Sequence, residues 1–254
     1  MDEDSGAPVA LVTGAARRVG AAIAQRLHAE GWRVAIHCGR SRVEADALAA
    51  TLNTKRVDSA AVFSFDLRAE AAATQLVAAV QVRWAAPAAL VNNASSYLAT
   101  PIGTVTGAAV DELIGTNLKA PLLLTQAAHA AGALRGVVNL LDAHSRYQPR
   151  ARLSAYSAAK DALWALTESL AVELAPVVRV NGVALGHILA EVREPPTPAE
   201  ALDLADKATQ LGRIPLARFG TPQEVAAAVA WLLSSEAAYV SGAILPVDGA
   251  RRLA

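Results

Sequence analysis

Short apolar runs alternate with longer helical patterns along nearly all of this 254-residue chain. That rhythm restricts the fold to βαβ units around a parallel sheet. Strands are predicted over residues 9–13, 33–37, 60–66, 88–92, 137–141, 178–183 and 244–247. Most show no clean polar/apolar alternation, as expected for strands covered on both faces. Between them, Val19, Ile23 and Leu27 form one apolar helical stripe, with Gly31 as its expected C-terminal stop. Thr221-Pro222-Gln223-Glu224 has the chemistry of a helix start: an N-cap threonine, proline at the first turn and glutamate at N3. Alanine-rich tracts near 71–80 and 225–230 read as close-packed helices. The expected class is α/β, with one domain over residues 8–254 behind a loose tail at 1–7. Residues 187–213 form a long insertion near a strand end, where substrate lids are usually found.

Two local motifs supply chemistry. The first strand runs into Thr13-Gly14-Ala15-Ala16-Arg17-Arg18-Val19-Gly20, a glycine turn opening a helix. Such a turn aims backbone N–H groups and a helix N-terminus at a pyrophosphate. Far downstream, Tyr156 and Lys160 stand four residues apart and so share a helix face. A nearby ammonium favours the phenolate, so Lys160 is expected to draw the Tyr156 pKa down from about 10. A tunable phenol beside a nucleotide site suggests hydride transfer paired with proton transfer. The cofactor choice rests on the second strand. Where an NAD site carries Asp or Glu for the ribose 2′-OH, this chain has His37-Cys38-Gly39-Arg40-Ser41. Arg40 and Ser41 can hold a 2′-phosphate, which favours NADPH; Arg40 also reads as a solvated loop arginine. Asp66-Leu67 can meet the adenine edge or form an Asx turn.

Composition narrows the partners. The 23 basic and 23 acidic residues cancel, without a basic block, so nucleic acid is not expected as a partner. Cys38 is alone, which rules out an internal disulfide and fits a reducing compartment. No apolar run reaches the ~20 residues of a membrane span, so no membrane partner is expected. The acidic start Met1-Asp2-Glu3-Asp4 has no secretory n-region or h-region, and a cytoplasmic location is expected.

Taken in order, the Gly14–Gly20 turn, Asn92-Asn93-Ala94, Asn117, Tyr156/Lys160, Arg179-Val180-Asn181-Gly182-Val183 and Val247-Asp248-Gly249 resemble the short-chain dehydrogenase/reductase family. The resemblance implies a doubly wound, seven-stranded parallel sheet (a Rossmann fold), usually assembled as a homotetramer. Within the family the chain is most similar to the pteridine reductases. Arg18 takes the place of the turn's middle glycine, and His37 and Arg40-Ser41 match a His-x-x-Arg-Ser segment that binds the 2′-phosphate. Asn93-Ala94-Ser95-Ser96-Tyr97 matches a segment whose aromatic stacks on the pterin. Asp142 stands where most members carry the catalytic serine, and Gln148-Pro149 also fits.

The resemblance implies NADPH-dependent reduction of a dihydropterin, extending to oxidised pterin or dihydrofolate. Asp142, Tyr156, Lys160 and Asn117 would be catalytic, with Asn117 holding a relay water on the Lys160 side. Gly14, Arg18, Gly20, His37, Arg40, Ser41, Asp66, Leu67, Asn93, Ala94, Ser95, Lys160 and Gly186 would bind the cofactor. Arg18, Ser95, Tyr97, Asp142 and Tyr156 would orient the substrate, and no metal is expected. A carbonyl reductase of a 3-oxoacyl thioester, steroid or sugar ketone is the rival chemistry; Asp142 argues against it, because an anion beside a developing alkoxide is unfavourable. A non-catalytic NADPH-binding protein is a third reading, opposed by the intact Asn117, Tyr156 and Lys160.

Several positions depart from the pattern. The sixth strand runs into Ala184-Leu185-Gly186-His187 in place of a Pro-Gly pair. His187 can face substrate or lie in a surface loop. Leu153 replaces a pocket tyrosine, Tyr147 and Arg150 can line the mouth, and Asp142 can also serve as a turn or helix cap. Trp164, Leu166 and Leu170 fit a partner helix or the core equally well.

Overall fold

Val, Ile, Leu and Ala fill the strands because each strand is walled by helices on both sides. In the computed structural model of the chain, which describes residues 6–148, 150–189 and 211–254, seven parallel strands form at the expected places. They are β1 (Val9–Val12), β2 (Arg33–Cys38), β3 (Ala60–Ser64), β4 (Ala89–Asn92), β5 (Gly136–Asp142), β6 (Arg179–Leu185) and β7 (Ile244–Val247). The sheet order is β3-β2-β1-β4-β5-β6-β7. This is a Rossmann-type α/β fold. Ladder ends differ from expectation by one or two residues. β5 runs on to Asp142, because Asp142 still pairs with Leu185 of β6. β3 stops at Ser64, where its pairing with Cys38 of β2 ends.

Among the described residues, the α-helices named here are α1 (Arg18–Ala29), α2 (Arg42–Lys55), α3 (Ala72–Arg83), α4 (Gly107–Ile114), α5 (Ala120–Ala130), α6 (Ala143–Tyr147), α7 (Ser154–Glu173) and α8 (Pro222–Leu233). A π-helical turn, Gly115–Lys119, joins α4 to α5. Alternate strand residues serve opposite layers. Ala10, Val12, Val34, Ile36 and Val91 pack with α1, α2 and α8. Val9, Leu11, Ala35, Leu90 and Val137 pack with α3, α5 and α7. The period-2 geometry of a strand makes this division, and both faces are apolar because both are covered.

The alternatives for α7 resolve toward the core. Trp164 and Leu170 are buried, and Leu166 packs against their two clusters. Gly31 lies one residue beyond Glu30, which is the observed C-cap of α1. The expected lid overlaps residues 190–210 and the expected tail overlaps residues 1–5, all outside the described residues, as is Pro149. Among the described residues, no helix is long and apolar enough to cross a membrane.

Candidate active site

Strand order reverses direction between β1 and β4, and doubly wound sheets bind ligands in the crevice beyond that point. The β1–α1 turn is built for close approach. Gly14 takes φ +60, and a Cβ on Gly20 would sit 2.2 Å from the Gly14 carbonyl oxygen. Only glycine allows the turn to fold this tightly. Asn93 locks it from β4: its Nδ2 donates to the Thr13 and Gly14 carbonyls at 2.9 and 3.0 Å. Backbone N–H groups of Asn93 and Ala94 both donate to Thr13 Oγ1, at 2.9 and 3.0 Å. Arg18 opens α1 at φ +52, a left-handed conformation that residues with a side chain rarely adopt.

A cavity of about 650 Å³ lies over this turn. Gly14, Arg18, Gly20, Arg40, Ser41, Asp66, Leu67, Asn93, Ala94 and Ser95 all line it. Arg17, Phe65, Arg68, Ser96, Glu112 and Thr116 line it as well, and the sequence offered no signal for most of them. Arg68 was the readable exception, two residues after Asp66. The side chains of Arg18 and Arg40 reach the cavity without an ion pair among the described residues, and Ser41 makes no capping bond. A glycine cradle with unpaired guanidinium groups fits a phosphate-bearing dinucleotide.

Some expected roles shift. His37 is buried and lines the cavity, but both ring nitrogens are spent within the protein. Nδ1 accepts from the Gly14 N–H at 3.2 Å, and Nε2 meets the Phe65 carbonyl at 3.1 Å. Burial pushes its pKa down, so a neutral ring ties the turn to the end of β3. Asp66 forms the Asx turn: its carboxylate accepts the Arg68 N–H at 3.1 Å and its guanidinium at 2.8 Å. These bonds hold the Asp66 carboxyl at about 2. Gly186 approaches Asp248 so closely that a Cβ would lie 2.6 Å from the Asp248 Cα.

The cavity lining does not include Asp142, Tyr156 or Lys160; Tyr156 and Lys160 are buried and Asp142 is partly buried. Tyr156 and Lys160 sit in the first two turns of α7. Lys160 Nζ donates to the Leu140 carbonyl of β5 at 2.9 Å. Burial pushes its pKa down to about 8, against a weaker upward pull from Asp142. The Tyr156 hydroxyl donates to Asp142 Oδ2 at 3.1 Å. Here the expected electrostatics is reversed. Burial, then the Asp142 charge, push the phenol well above its usual range, and Lys160 does not draw it down. The sequence spacing placed the ammonium on the right face but could not show that an anion lies closer. Tyr156 is therefore held as a protonated acid.

Asp142 ends β5, caps α6 with its carboxylate and also accepts from the Tyr156 hydroxyl. Oδ1 accepts the His144 N–H at 2.7 Å, and Oδ2 accepts from Arg150 Nη2 at 2.9 Å. Burial pushes its carboxyl up, but the His144 bonds and the Arg150 charge outweigh that and hold it at about 2. The sequence showed Arg150 only as a possible mouth residue and gave His144 no role. A histidine two residues after a strand-end acid was the available signal.

Asn117 is fully buried in the π-helical turn. Its Oδ1 accepts from Ser95 Oγ at 2.7 Å, and its Nδ2 donates to the Ser96 carbonyl at 2.9 Å. The amide thus tethers the Ser95–Ser96 loop and is not bonded to Lys160. Tyr97 is 57% exposed and stands edge-on to Tyr156, with centroids 4.8 Å apart. Leu153 is buried. His187 is not a loop-surface residue: it is half-buried and packs edge-on against His144, with centroids 4.6 Å apart.

A phenol donor, a buried lysine and a nucleotide cradle at a parallel-sheet switch point define a nicotinamide-dependent oxidoreductase site. The chain belongs to the short-chain dehydrogenase/reductase family. A family model described as Enoyl-(Acyl carrier protein) reductase matches residues 14–250. The chain is 36% identical to pteridine reductase 1 of Leishmania tarentolae, covering 96% of each chain. It is also 36% identical to Protein FixR of Bradyrhizobium diazoefficiens, over 98% of this chain and 89% of the relative. It is 32% identical to 3-oxoacyl-[acyl-carrier-protein] reductase FabG of Staphylococcus aureus, over 94% of this chain and 96% of the relative.

Proposed function

We propose that this protein is an NADPH-dependent reductase of pterins, converting dihydropterin to tetrahydropterin and extending to oxidised pterin or dihydrofolate. The observation that carries the reading is the Tyr156 O–H donating to the Asp142 carboxylate at the end of β5. A serine there would donate to an acceptor oxygen that becomes an alkoxide. A carboxylate does the opposite: it repels a developing oxyanion and suits an acceptor that gains a proton at nitrogen. Similarity to pteridine reductase 1 along the whole chain points the same way.

The Gly14 turn would hold the pyrophosphate, and Arg40 with Ser41 would hold the 2′-phosphate, which selects NADPH over NADH. When bound, the reduced nicotinamide is the two-electron donor to a C=N carbon of the ring. Lys160 would orient the nicotinamide ribose, and Tyr156 would give its proton to the acceptor nitrogen. Asp142 orients that O–H and keeps it protonated. Tyr97 would turn off Tyr156 to stack on the planar substrate, an arrangement worth about 0.5–1.5 kcal/mol beyond burial. Arg18 and Ser95 would fix the ring's polar edge. A homotetramer in the cytoplasm is the expected state of such an enzyme.

The ketoacyl reductase reading keeps one specific support, the 32% identity with FabG. NADPH oxidation with dihydrobiopterin, beside 3-oxoacyl thioester and ketone substrates, separates the two. Wild type is expected to turn over the pterin, and Asp142→Ser to lose at least ~100-fold of that rate, the usual size of a proton-transfer contribution. Turnover of ketones but not pterin would establish the rival. Measurable NADPH turnover of either kind would exclude a non-catalytic protein.

A further inference from the structure

At the end of the cavity where β2 and β3 finish, one guanidinium is fixed from two sides. Arg68 lines the cavity there. Its side chain forms a fork on Asp66: Nε donates to Oδ1 at 3.0 Å and Nη2 to Oδ2 at 2.8 Å. Nη1 lies 3.8 Å from Glu112 Oε2 of α4, and Ser96 Oγ donates to the other oxygen of Glu112 at 3.2 Å. The Arg68 stem runs against Gly115, where a Cβ would meet Cγ at 3.5 Å. Exposed ion pairs of this kind contribute little to stability. Their consequence here is geometric, since a long, flexible side chain is held in one place beside the cavity. Fork bonds use the edge of a guanidinium and leave its flat faces available for stacking. The same bonds occupy Asp66. Oδ1 accepts both the Arg68 N–H and Nε, which uses its two lone pairs.

We infer that Arg68 is a cofactor-binding residue whose guanidinium lies flat against the adenine of the dinucleotide. The inference rests on the proposed dinucleotide site. Its position follows from the neighbouring loops. The Phe65 N–H donates to the Cys38 carbonyl at 3.2 Å, and Ser64 Oγ donates to the Gly39 carbonyl at 3.3 Å. These bonds set the Asp66–Arg68 turn beside Gly39-Arg40-Ser41, and the Arg40 charge acts on the Asp66 carboxyl. A ribose whose 2′-phosphate is held by Arg40 and Ser41 carries its base on the adjacent carbon, so the base falls over that turn. Adenine presents a π-face, and a guanidinium plane stacks well on a base. Asp66 then serves the base by orienting Arg68. Glu112 and Ser96 tie the same plane to the loop that carries Tyr97.

Titration calorimetry on the full chain tests this without turnover. The ligands are NADPH and adenosine 2′,5′-bisphosphate, which carries the adenine end without the nicotinamide. The Arg68 side chain is 39% exposed, so its variants are expected to fold, and thermal melts matched to wild type check that. Arg68→Ala should raise both Kd values about three- to tenfold, the usual size of a guanidinium stacked on a π-face. Two further variants separate the flat face from the charge. Arg68→Lys keeps a charge for Asp66 but has no plane, and should weaken both ligands as much as Arg68→Ala. Arg68→Tyr supplies a plane without the charge, and should bind both ligands within about twofold of wild type. Equal binding by wild type and Arg68→Ala overturns the inference. So does an Arg68→Lys variant that binds at least as tightly as Arg68→Tyr, because the charge on Asp66 would then be what matters. Either result leaves the proposed function intact, since wild type still binds NADPH. A wild type that binds neither NADPH nor NADH overturns both.

Discussion

Asp142 gathers more of this site's energetics than any neighbour. Three donors other than Tyr156 reach its two oxygens: the His144 N–H, the His144 ring and the Arg150 guanidinium. These hold the carboxyl at about 2 against an ordinary 3.8, despite burial. A depressed carboxyl contributes stability that is present above about 3.8 and lost as pH falls through about 2. The size is roughly 2 kcal/mol at neutral pH. Urea unfolding of wild type and Asp142→Asn should therefore show a stability gap that narrows between pH 4 and pH 2; a gap constant across that window would contradict the assignment. Burial first, and then this same charge, keep the phenol protonated. At this scale the sequence was legible in part. Residue identities located Asp142, Tyr156 and Lys160, but which ion lies nearest the phenol is a distance, and no spacing rule supplies it.

Among the elements, α8 is the one whose start the sequence specifies completely. Thr221 accepts the Glu224 N–H at 3.3 Å, and Glu224 returns to the Thr221 N–H at 2.8 Å. Pro222 fits the first turn because no donor is needed there. Arg218 adds an exposed ion pair to Glu224, which contributes little by itself. Val225, Ala226, Val229 and Ala230 then pack into the same core as α1, so the cap sets the register of the helix behind the glycine turn. Thr221→Ala should cost about 1 kcal/mol of stability, read as a lower urea midpoint at unchanged slope. No loss would mean that packing against α1 alone fixes the helix. The π-helical turn is the contrary case. Gly115-Thr116-Asn117 carries no sequence mark of a wide turn, yet that turn seats Asn117 against the Ser95–Ser96 loop. Such single turns cluster at functional sites and arise from the path of the chain, not from propensity.

Across the whole molecule, one sheet links both helical layers. Trp32 packs on the α1 side and Trp84 on the α3 side, so their fluorescence reports opposite faces. Since every strand serves both cores, the layers cannot melt separately. Unfolding by urea should give coincident transitions for fluorescence and far-ultraviolet circular dichroism, and for single-tryptophan variants retaining Trp32 or Trp84. Separated midpoints would show that the two layers fold as independent units. The sequence alone determined the sheet, its seven strands, the glycine turn after β1 and the chemical types at the candidate site. Apolar periodicity, glycine placement and caps act over a few residues, and a linear reading can follow them. Tertiary structure alone decided that His37 braces the turn, that Asp142 overrides Lys160 at Tyr156, and that His144 and His187 meet behind them. Each of those outcomes joins residues more than ten positions apart or depends on burial, and the energy of a buried charge is set by what surrounds it in space.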